Sequence, residues 1–228
     1  KKSFPAFENL LAKGHTYNSP SASVLGVVGV FVDDLAKCGC PEFHNFWKNT
    51  VCKRFIIGEE EPLTDEPMYV GCSLSQSIDG GTILKRQESY ANSLLEISVP
   101  PSVKSLDKLP YRFLKAFESV LGSLGYLCSH TRPDILFDVN RLAKVPKSEL
   151  CFNHVRTLNK AVRKAIHNKW ISLKFQSFKE PQIVVSSDAS FDKTVVYQTQ
   201  GSFGFVKEKE PNEDGSFNIS PLIFKTNT

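Results

Sequence analysis

The spacing of the apolar residues changes twice along this chain of 228 residues, and that change constrains the fold more than any other feature. Up to about residue 86 the apolar residues form short runs or alternate with polar ones, as is typical of β-strands. They then recur about every 3.6 residues, which predicts amphipathic helices. The predicted helices cover roughly 87–97, 110–128, 132–144 and 149–168. Strand patterns return after residue 170, so the predicted fold class is α+β.

The first β-rich segment is built around one apolar run at 23–31. Because this run is apolar on both faces, it predicts a strand buried inside a sheet. The run ends at Asp33-Asp34, and a strand at 35–38 is expected to return antiparallel to it. The remaining patterns predict short helices at 5–14 and 41–55, a hairpin around a turn at 78–81, and strands at 171–175, 182–186, 201–207 and 217–224.

Several functional classes are excluded by composition. No apolar run reaches the roughly 18 residues of a membrane span, and the first residues lack the apolar core of a secretory signal. The expected location is therefore intracellular, either cytoplasmic or nuclear. The six cysteines and five histidines show no spacing typical of a zinc site, and we interpret the cysteines as reduced thiols. A metal contact by Cys38 and Cys40 is the alternative.

Positive charge is concentrated in one part of the chain. The net charge is +4, but the stretch from Arg141 to Lys179 carries +9 and everything else −5. This imbalance predicts a polyanionic partner. On the helix predicted at 149–168, cations recur every three or four residues opposite the apolar stripe, which favours contact with a nucleic-acid backbone. These cations are Arg156, Lys160, Arg163 and Lys164. A solvated helix surface is the alternative interpretation.

Two adjacent carboxylates, Asp33 and Asp34, follow the apolar strand. Neighbouring like charges repel, so a site that keeps both ionised usually holds a divalent metal that neutralises them. Mg²⁺ is the expected ion because it prefers carboxylate oxygen and substrate phosphate. In nucleotidyl transfer, two such ions bridge the attacking and the leaving oxygen. A polar turn without metal is the structural alternative.

Three segments together carry a family resemblance. Segment 7–34 has the pattern of a short helix ending in Gly, a spacer, and an apolar strand that closes on Phe-Val-Asp-Asp. Segment 70–95 has a hairpin followed by Gln, Tyr and a double Leu. The most specific string is LGSLGYLCSHTRPDI at 121–135, followed by Val-Asn at 139–140. The chain thereby resembles the C-terminal part of a copia-type retrotransposon polyprotein, a reverse transcriptase with RNase H.

This resemblance implies three structural parts and a function. The parts are a partial reverse transcriptase palm at 1–86 with the Asp-Asp hairpin, a helical thumb or connection at 87–169, and the start of an RNase H-like α/β domain at 170–228. The implied function is an RNA-directed DNA polymerase that acts on an RNA/DNA template-primer. Asp33 and Asp34 would then be two of its three metal-binding carboxylates, with Mg²⁺ as the cofactor.

The third carboxylate of the family lies on an earlier strand, and none of the 32 residues before Asp33 is Asp. We therefore expect the missing palm and fingers parts on a preceding segment of the same polyprotein. Mg²⁺ is expected to bind only in the intact enzyme, and this chain alone is expected to be inactive. The alternative function is non-catalytic: a remnant of an element, or a nucleic-acid-binding module that acts through the basic helix.

Two further site residues follow from local motifs. The segment at 183–191 resembles the first strand of the family's RNase H-like domain, which implies that Asp188 is the first metal carboxylate of that site. The family's second acid is replaced by Ser190, so no RNase H activity is expected. In the string Thr-Arg-Pro-Asp, Thr131 is predicted to cap a helix and Asp134 to complement its dipole. A phosphate contact by Arg132 is the functional alternative.

Overall fold

The computed structural model describes residues 25–190 and 199–227 of the chain. The chain divides into two compact units, Lys1–Glu60 and Glu61–Thr228. Helices and antiparallel sheets occur together, so the predicted α+β class is confirmed. The helix predicted at 5–14 lies outside the described residues. Among the residues that are described, no helix combines the length and the apolar character needed to cross a membrane.

Residues 25–60, the described part of the first unit, form one hairpin and one helix. Strand β1 (Gly26–Phe31) pairs antiparallel with β2 (Asp34–Gly39), as the sequence predicted. Helix α1 (Pro41–Phe46) begins at a proline, which suits the first turn, and continues through a π turn and a last α turn to residue 54. Trp47 is buried, and its indole N–H donates to the carboxylate of Glu60 at 3.1 Å.

One prediction for this unit is wrong, because β1 is not buried inside a sheet. In the described part of the chain β1 pairs with β2 alone, and Val27, Val30 and Phe31 are more than half exposed. An apolar run is buried only where neighbouring strands and packed layers cover it. The covering element here is α1, whose Phe43 ring lies so close to Gly26 and Gly39 that a Cβ on either would overlap it, at 2.3 and 2.4 Å.

The second unit begins with a four-stranded antiparallel sheet. Its strands are β3 (Met68–Tyr69), β4 (Cys72–Gln76), β5 (Thr82–Arg86) and β6 (Leu173–Gln176), in that spatial order. The predicted hairpin around residues 78–81 joins β4 to β5 and is confirmed. In its loop the carboxylate of Asp79 accepts from the Ser77 hydroxyl at 2.5 Å and from the Gly81 N–H at 3.0 Å.

Four helices follow, as predicted, and form the main core. They are α2 (Glu88–Ser93), α3 (Tyr111–His130), α4 (Leu136–Ala143) and α5 (Phe152–His167). Their apolar stripes meet around side chains such as Phe117, Leu124 and Leu158, each at most 1% exposed. Complete burial of one such side chain contributes about 1.5–3 kcal/mol. The spacing of apolar residues in the sequence therefore identified the part of the chain that carries the core.

Helix α2 is shorter than predicted, and the residues after it run extended along α5. We call residues 94–99 the strap. Its Leu94 and Ile97 are buried, and the side-chain amide of Asn159 on α5 bonds both backbone groups of Ile97. The Ile97 N–H donates to Asn159 Oδ1 at 2.9 Å, and Asn159 Nδ2 donates to the Ile97 carbonyl at 2.8 Å. These bonds satisfy the backbone without helical geometry, which explains the early end of α2.

A three-stranded antiparallel sheet ends the second unit. Its strands are β7 (Pro181–Ser190), β8 (Thr199–Glu208) and β9 (Ile219–Asn227), in that order, so the three predicted strands are confirmed with longer bounds. Strand β7 lies at an edge of this sheet, and its Ile183 and Val185 are largely exposed.

The predicted parts divided at residues 86 and 169 stay predictions, although one sheet of the structure includes strands from both sides of these boundaries. Strand β6 pairs with β5, with Leu84 opposite Lys174, so one sheet crosses both predicted boundaries. The backbone N–H of Gln176 also donates to the Ser220 hydroxyl of β9 at 2.7 Å. The helices and both later sheets therefore belong to one compact unit that begins at Glu61. Sequence patterns predict strands but not the distant strands with which they pair. The strand at 171–175 was therefore placed in the RNase H-like part because it follows the helices.

Candidate metal site and basic groove

Asp33 and Asp34 lie at the tip of the β1–β2 hairpin. Phe31 pairs directly with Asp34, so Val32 and Asp33 form a two-residue turn. Val32 has a φ of +55°, a left-handed conformation that is costly for a branched side chain, by about 1–3 kcal/mol. Val32 is also 87% exposed, so side-chain burial does not offset that cost. Such strain is concentrated at functional sites, and here it accompanies two adjacent carboxylates.

The two carboxylates have the donor chemistry that Mg²⁺ prefers, but they form only part of a site. Asp33 is exposed and Asp34 is half-buried, which leaves room for water or phosphate oxygens around the tip. Within residues 25–190 and 199–227, no three His, Cys, Asp or Glu side chains gather closely enough to hold a metal ion. The hairpin is therefore confirmed, whereas the metal-binding role of these residues stays a prediction.

Asp188, the predicted RNase H carboxylate, lies on β7 opposite Gly201 and is exposed. It belongs to the second unit, whereas Asp33 and Asp34 belong to the first. No acidic, Cys or His cluster that could hold a metal surrounds it among the described residues. Its catalytic role likewise stays a prediction.

The phosphate contact considered for Arg132 is wrong, because this side chain is only 1% exposed. All five of its N–H donors are directed at acceptors inside the protein. Nε and Nη2 donate to the two carboxylate oxygens of Asp134 at 2.7 and 2.9 Å. Nη1 donates to the carbonyls of Ala165 and Asn168 at 3.0 and 3.1 Å, and Nη2 to that of Lys164 at 3.4 Å. Arg132 therefore caps the C-terminal end of α5, where a cation also complements the helix dipole.

Asp134 completes this buried ion pair. Burial by itself would raise the pKa of the Asp134 carboxyl, but the hydrogen bonds and charge of Arg132, with Lys164 nearby, outweigh it and hold the pKa below its usual value. The prediction that Thr131 caps the next helix is wrong. Thr131 ends α3, is fully buried, and donates its hydroxyl to Gln87 Oε1 at 2.8 Å. The Thr131 hydroxyl bonds the buried side chain of Gln87 and therefore does not cap the helix that follows.

The four other predicted nucleic-acid contacts lie on α5 and differ in their surroundings. Arg156 donates to the hydroxyl of Ser105 at 2.8 Å, and Arg163 forms an ion pair with Glu96 of the strap. Lys164 turns away toward Asp134 and donates to its carbonyl at 2.8 Å. Lys160 is exposed, and none of the residues that the structure describes accepts a hydrogen bond from it.

Arg156, Lys160 and Arg163 line one groove of about 530 Å³ between α5 and the strap. The strap forms the opposite wall, and Asn159 lies at the contact between the two. The sequence did not predict that Glu96 belongs to this site, because the partners of its ion pair are 67 residues apart. One feature of the sequence could have indicated this site. Asn159 is a polar residue directly after Leu158, which belongs to the apolar stripe of α5.

Cys72, Cys128 and His154 lie in surroundings that account for them structurally. Cys72 and Cys128 are fully buried, and burial raises the pKa of both thiols, that of Cys128 to about 12. Such thiols are not nucleophiles near neutral pH. His154 accepts a hydrogen bond from the backbone N–H of Cys151 at 3.1 Å and so caps α5. Burial lowers the pKa of His154, followed by a smaller effect of Arg141.

Comparison with known proteins yields no relative. No family model matches the chain, and neither the search of curated proteins nor that of solved structures finds a match. Function must therefore be inferred from the residues and their geometry.

Proposed function

We propose that this chain is part of an RNA-directed DNA polymerase of the copia-type retrotransposon class, and that Asp33 and Asp34 are two of its catalytic metal ligands. The observation that carries the proposal is the Asp-Asp hairpin: adjacent carboxylates at a solvent-open tip, after a strained valine. A two-residue hairpin turn requires a positive φ at its first central residue, which accounts for Val32, but it does not require two neighbouring acids. A site that binds metal and phosphate gives the acid pair a purpose.

The order of elements supports the same proposal. A hairpin, a helix, a second hairpin and a block of helices follow one another, and strands resume at the end. In the proposed assignment, the hairpin of the first unit and strands β3–β5 belong to a polymerase palm, and helices α2–α5 form a thumb or connection. Strands β7–β9 are then the first strands of an RNase H-like domain. Such an enzyme acts inside the cell, in the cytoplasm or nucleus.

In the proposed mechanism Asp33 and Asp34 would hold Mg²⁺, which would supply charge stabilisation for the phosphoryl group and for its attacking and leaving oxygens. The exposed Asp33 is free to reach an ion outside the hairpin, while Asp34 is anchored at the start of β2. A preceding segment of the polyprotein supplies the third carboxylate and the nucleotide-binding strands. At the RNase H site built on Asp188, Ser190 stands in place of the family's second acid.

The test is nucleotide incorporation on a primed RNA template by the reading frame that includes the preceding palm segment. Asp33→Asn and Asp34→Asn should each lower the rate more than about 100-fold, since even outer neighbours of metal ligands cost 10–100-fold. Asp79→Asn is the matched control, because Asp79 is a carboxylate in the turn of the β4–β5 hairpin. Equal rates in the Asp33→Asn, Asp79→Asn and unchanged proteins would rule the proposal out.

A second candidate function, a nucleic-acid-binding module without catalysis, is favoured by the basic groove. Three cations line one side of it, and they occur in the stretch that carries +9. This candidate requires no Asp33 chemistry, so the two functions are separable. Duplex binding by the 228-residue chain, combined with no incorporation by the extended reading frame, would favour the module.

A further inference from the structure

We infer that the groove between α5 and the strap binds the phosphate backbone of a nucleic-acid duplex, and that Glu96 occupies one phosphate position in the unbound protein. This inference rests on the nucleic-acid role proposed above and adds its regulation. The Glu96 carboxylate of the strap thereby competes with phosphate for Arg163. When nucleic acid binds, a phosphate replaces this carboxylate on Arg163.

The cations of the groove form a row that matches a nucleic-acid strand. Arg156, Lys160 and Arg163 stand four and three residues apart on one face of α5. At about 1.5 Å rise per residue, the row is roughly 10 Å long. Neighbouring phosphates of one strand advance about 3.4 Å along the duplex axis and lie farther apart along the strand itself, so the row reaches about two of them. A rigid helix that presents cations at this spacing suits a regular backbone.

The composition of the groove favours the backbone over the bases. None of the eight described residues that line it is aromatic, so it offers no ring on which an unpaired base could stack. Its cations are guanidinium and ammonium groups, which contact phosphate without reading sequence. Binding is therefore expected to be independent of sequence and strongly dependent on salt.

Glu96 is held at the groove by its backbone rather than by its ion pair. The next residue, Ile97, is buried and is bonded by Asn159 through both its N–H and its carbonyl. The backbone of Glu96 therefore stays beside the groove whether or not its carboxylate pairs with Arg163. The pair itself is exposed, with 54% of the Arg163 and 39% of the Glu96 side chain accessible. Exposed pairs contribute only about 0–1 kcal/mol, so a phosphate can displace the carboxylate.

The test compares two substitutions that break the same ion pair from opposite sides. The 228-residue chain is titrated into a fluorescent 20-base-pair RNA–DNA hybrid at several salt concentrations. Glu96→Gln should tighten binding about tenfold at 50 mM salt and steepen the dependence of log K on log salt by about one, because one more cation meets phosphate. Arg163→Gln should weaken binding and make that slope shallower by about one. Loss of a merely structural ion pair would change binding in the same direction for both.

Glu118→Gln serves as the control, because Glu118 pairs with Lys147 at 2.5 Å and its loss changes the net charge equally. The inference is overturned if Glu96→Gln binds the hybrid like Glu118→Gln, or if the chain and its Glu96→Gln variant bind no hybrid. Displacement of the hybrid by polyglutamate as readily as by duplex DNA would overturn the choice of nucleic acid as ligand. Asp33 plays no part in this assay, so its result is independent of the incorporation test.

Discussion

The buried guanidinium of Arg132 offers the sharpest test of the structure. Arg132→Ala removes the N–H donors that bond the last turn of α5 and the carboxylate of Asp134. Removing one partner of a buried ion pair typically costs about 3–5 kcal/mol, because the remaining groups lose their partners. A sum of about 1.5–3 kcal/mol for each charged hydrogen bond would exceed this range. Such a sum would overestimate the cost, because the Asp134 carboxylate is one-third exposed and can hydrogen-bond to water once Arg132 is removed.

The cost is measured by urea unfolding of the 228-residue chain, followed by the helical circular dichroism signal. With a slope of about 2 kcal/mol per molar urea, a loss of 3–5 kcal/mol lowers the midpoint by about 1.5–2.5 M. Arg132→Lys should lose less, because it keeps the charge but not the planar fork of donors. Arg112→Ala, at an exposed arginine of α3, is the control and should change stability by less than about 0.5 kcal/mol.

Two results would refute this reasoning. Stability of Arg132→Ala within about 0.5 kcal/mol of the unchanged chain would contradict the buried cap. So would an Arg132→Ala variant that keeps its stability and loses hybrid binding, since that outcome is the signature of a phosphate contact.

Two further predictions concern pH and backbone geometry. The pKa of His154 is lower in the folded chain than its ordinary value near 6.5, so the unfolded chain binds the proton first. The contribution of His154 to the free energy of unfolding should be fully present above about pH 6.5 and should be lost as the pH falls toward the folded pKa. His154→Gln should therefore flatten this part of a plot of urea midpoint against pH. An unchanged plot would contradict the role of His154 as a cap. Gly71 has a φ of +66°, and a Cβ there would lie 2.3 Å from the hydroxyl of Tyr126. Gly71→Ala should therefore lower stability by about 1–3 kcal/mol, whereas Gly122→Ala, inside α3 with open space around it, should raise it by up to about 1 kcal/mol; similar midpoints would contradict this account.

The elements that depend on local pattern could be predicted from the sequence. The apolar stripe of α3 includes Leu124 and Leu127, and both are fully buried. The β1–β2 hairpin was predicted from an apolar run interrupted by two acids, and its turn falls at Val32 and Asp33. Helical period and strand interruption are properties of neighbouring residues, so a sequence displays them directly.

The features that depend on distant partners could not be predicted. Arg132 looked like a surface cation at a helix start, but its acceptors include carbonyls more than 30 residues further along the chain. Glu96 and Arg163, which form an ion pair, are 67 residues apart in the sequence, so no local pattern predicts the pair. The exposure of β1 has the same origin, since burial of an apolar strand depends on which elements pack against it. Cationic spacing predicted the face of α5 that lines the groove, but not the acid opposite.

The proposed function depends on whether the Asp-Asp hairpin binds metal, and a Mn²⁺ titration monitored by electron paramagnetic resonance measures this most directly. The protein is the reading frame extended to include the palm segment that the proposed function requires, with primed template and nucleotide present. The account predicts bound Mn²⁺ that Mg²⁺ displaces, with affinity at least about tenfold weaker in Asp33→Asn and unchanged in Asp79→Asn. The same number of ions bound with the same affinity in Asp33→Asn would contradict it.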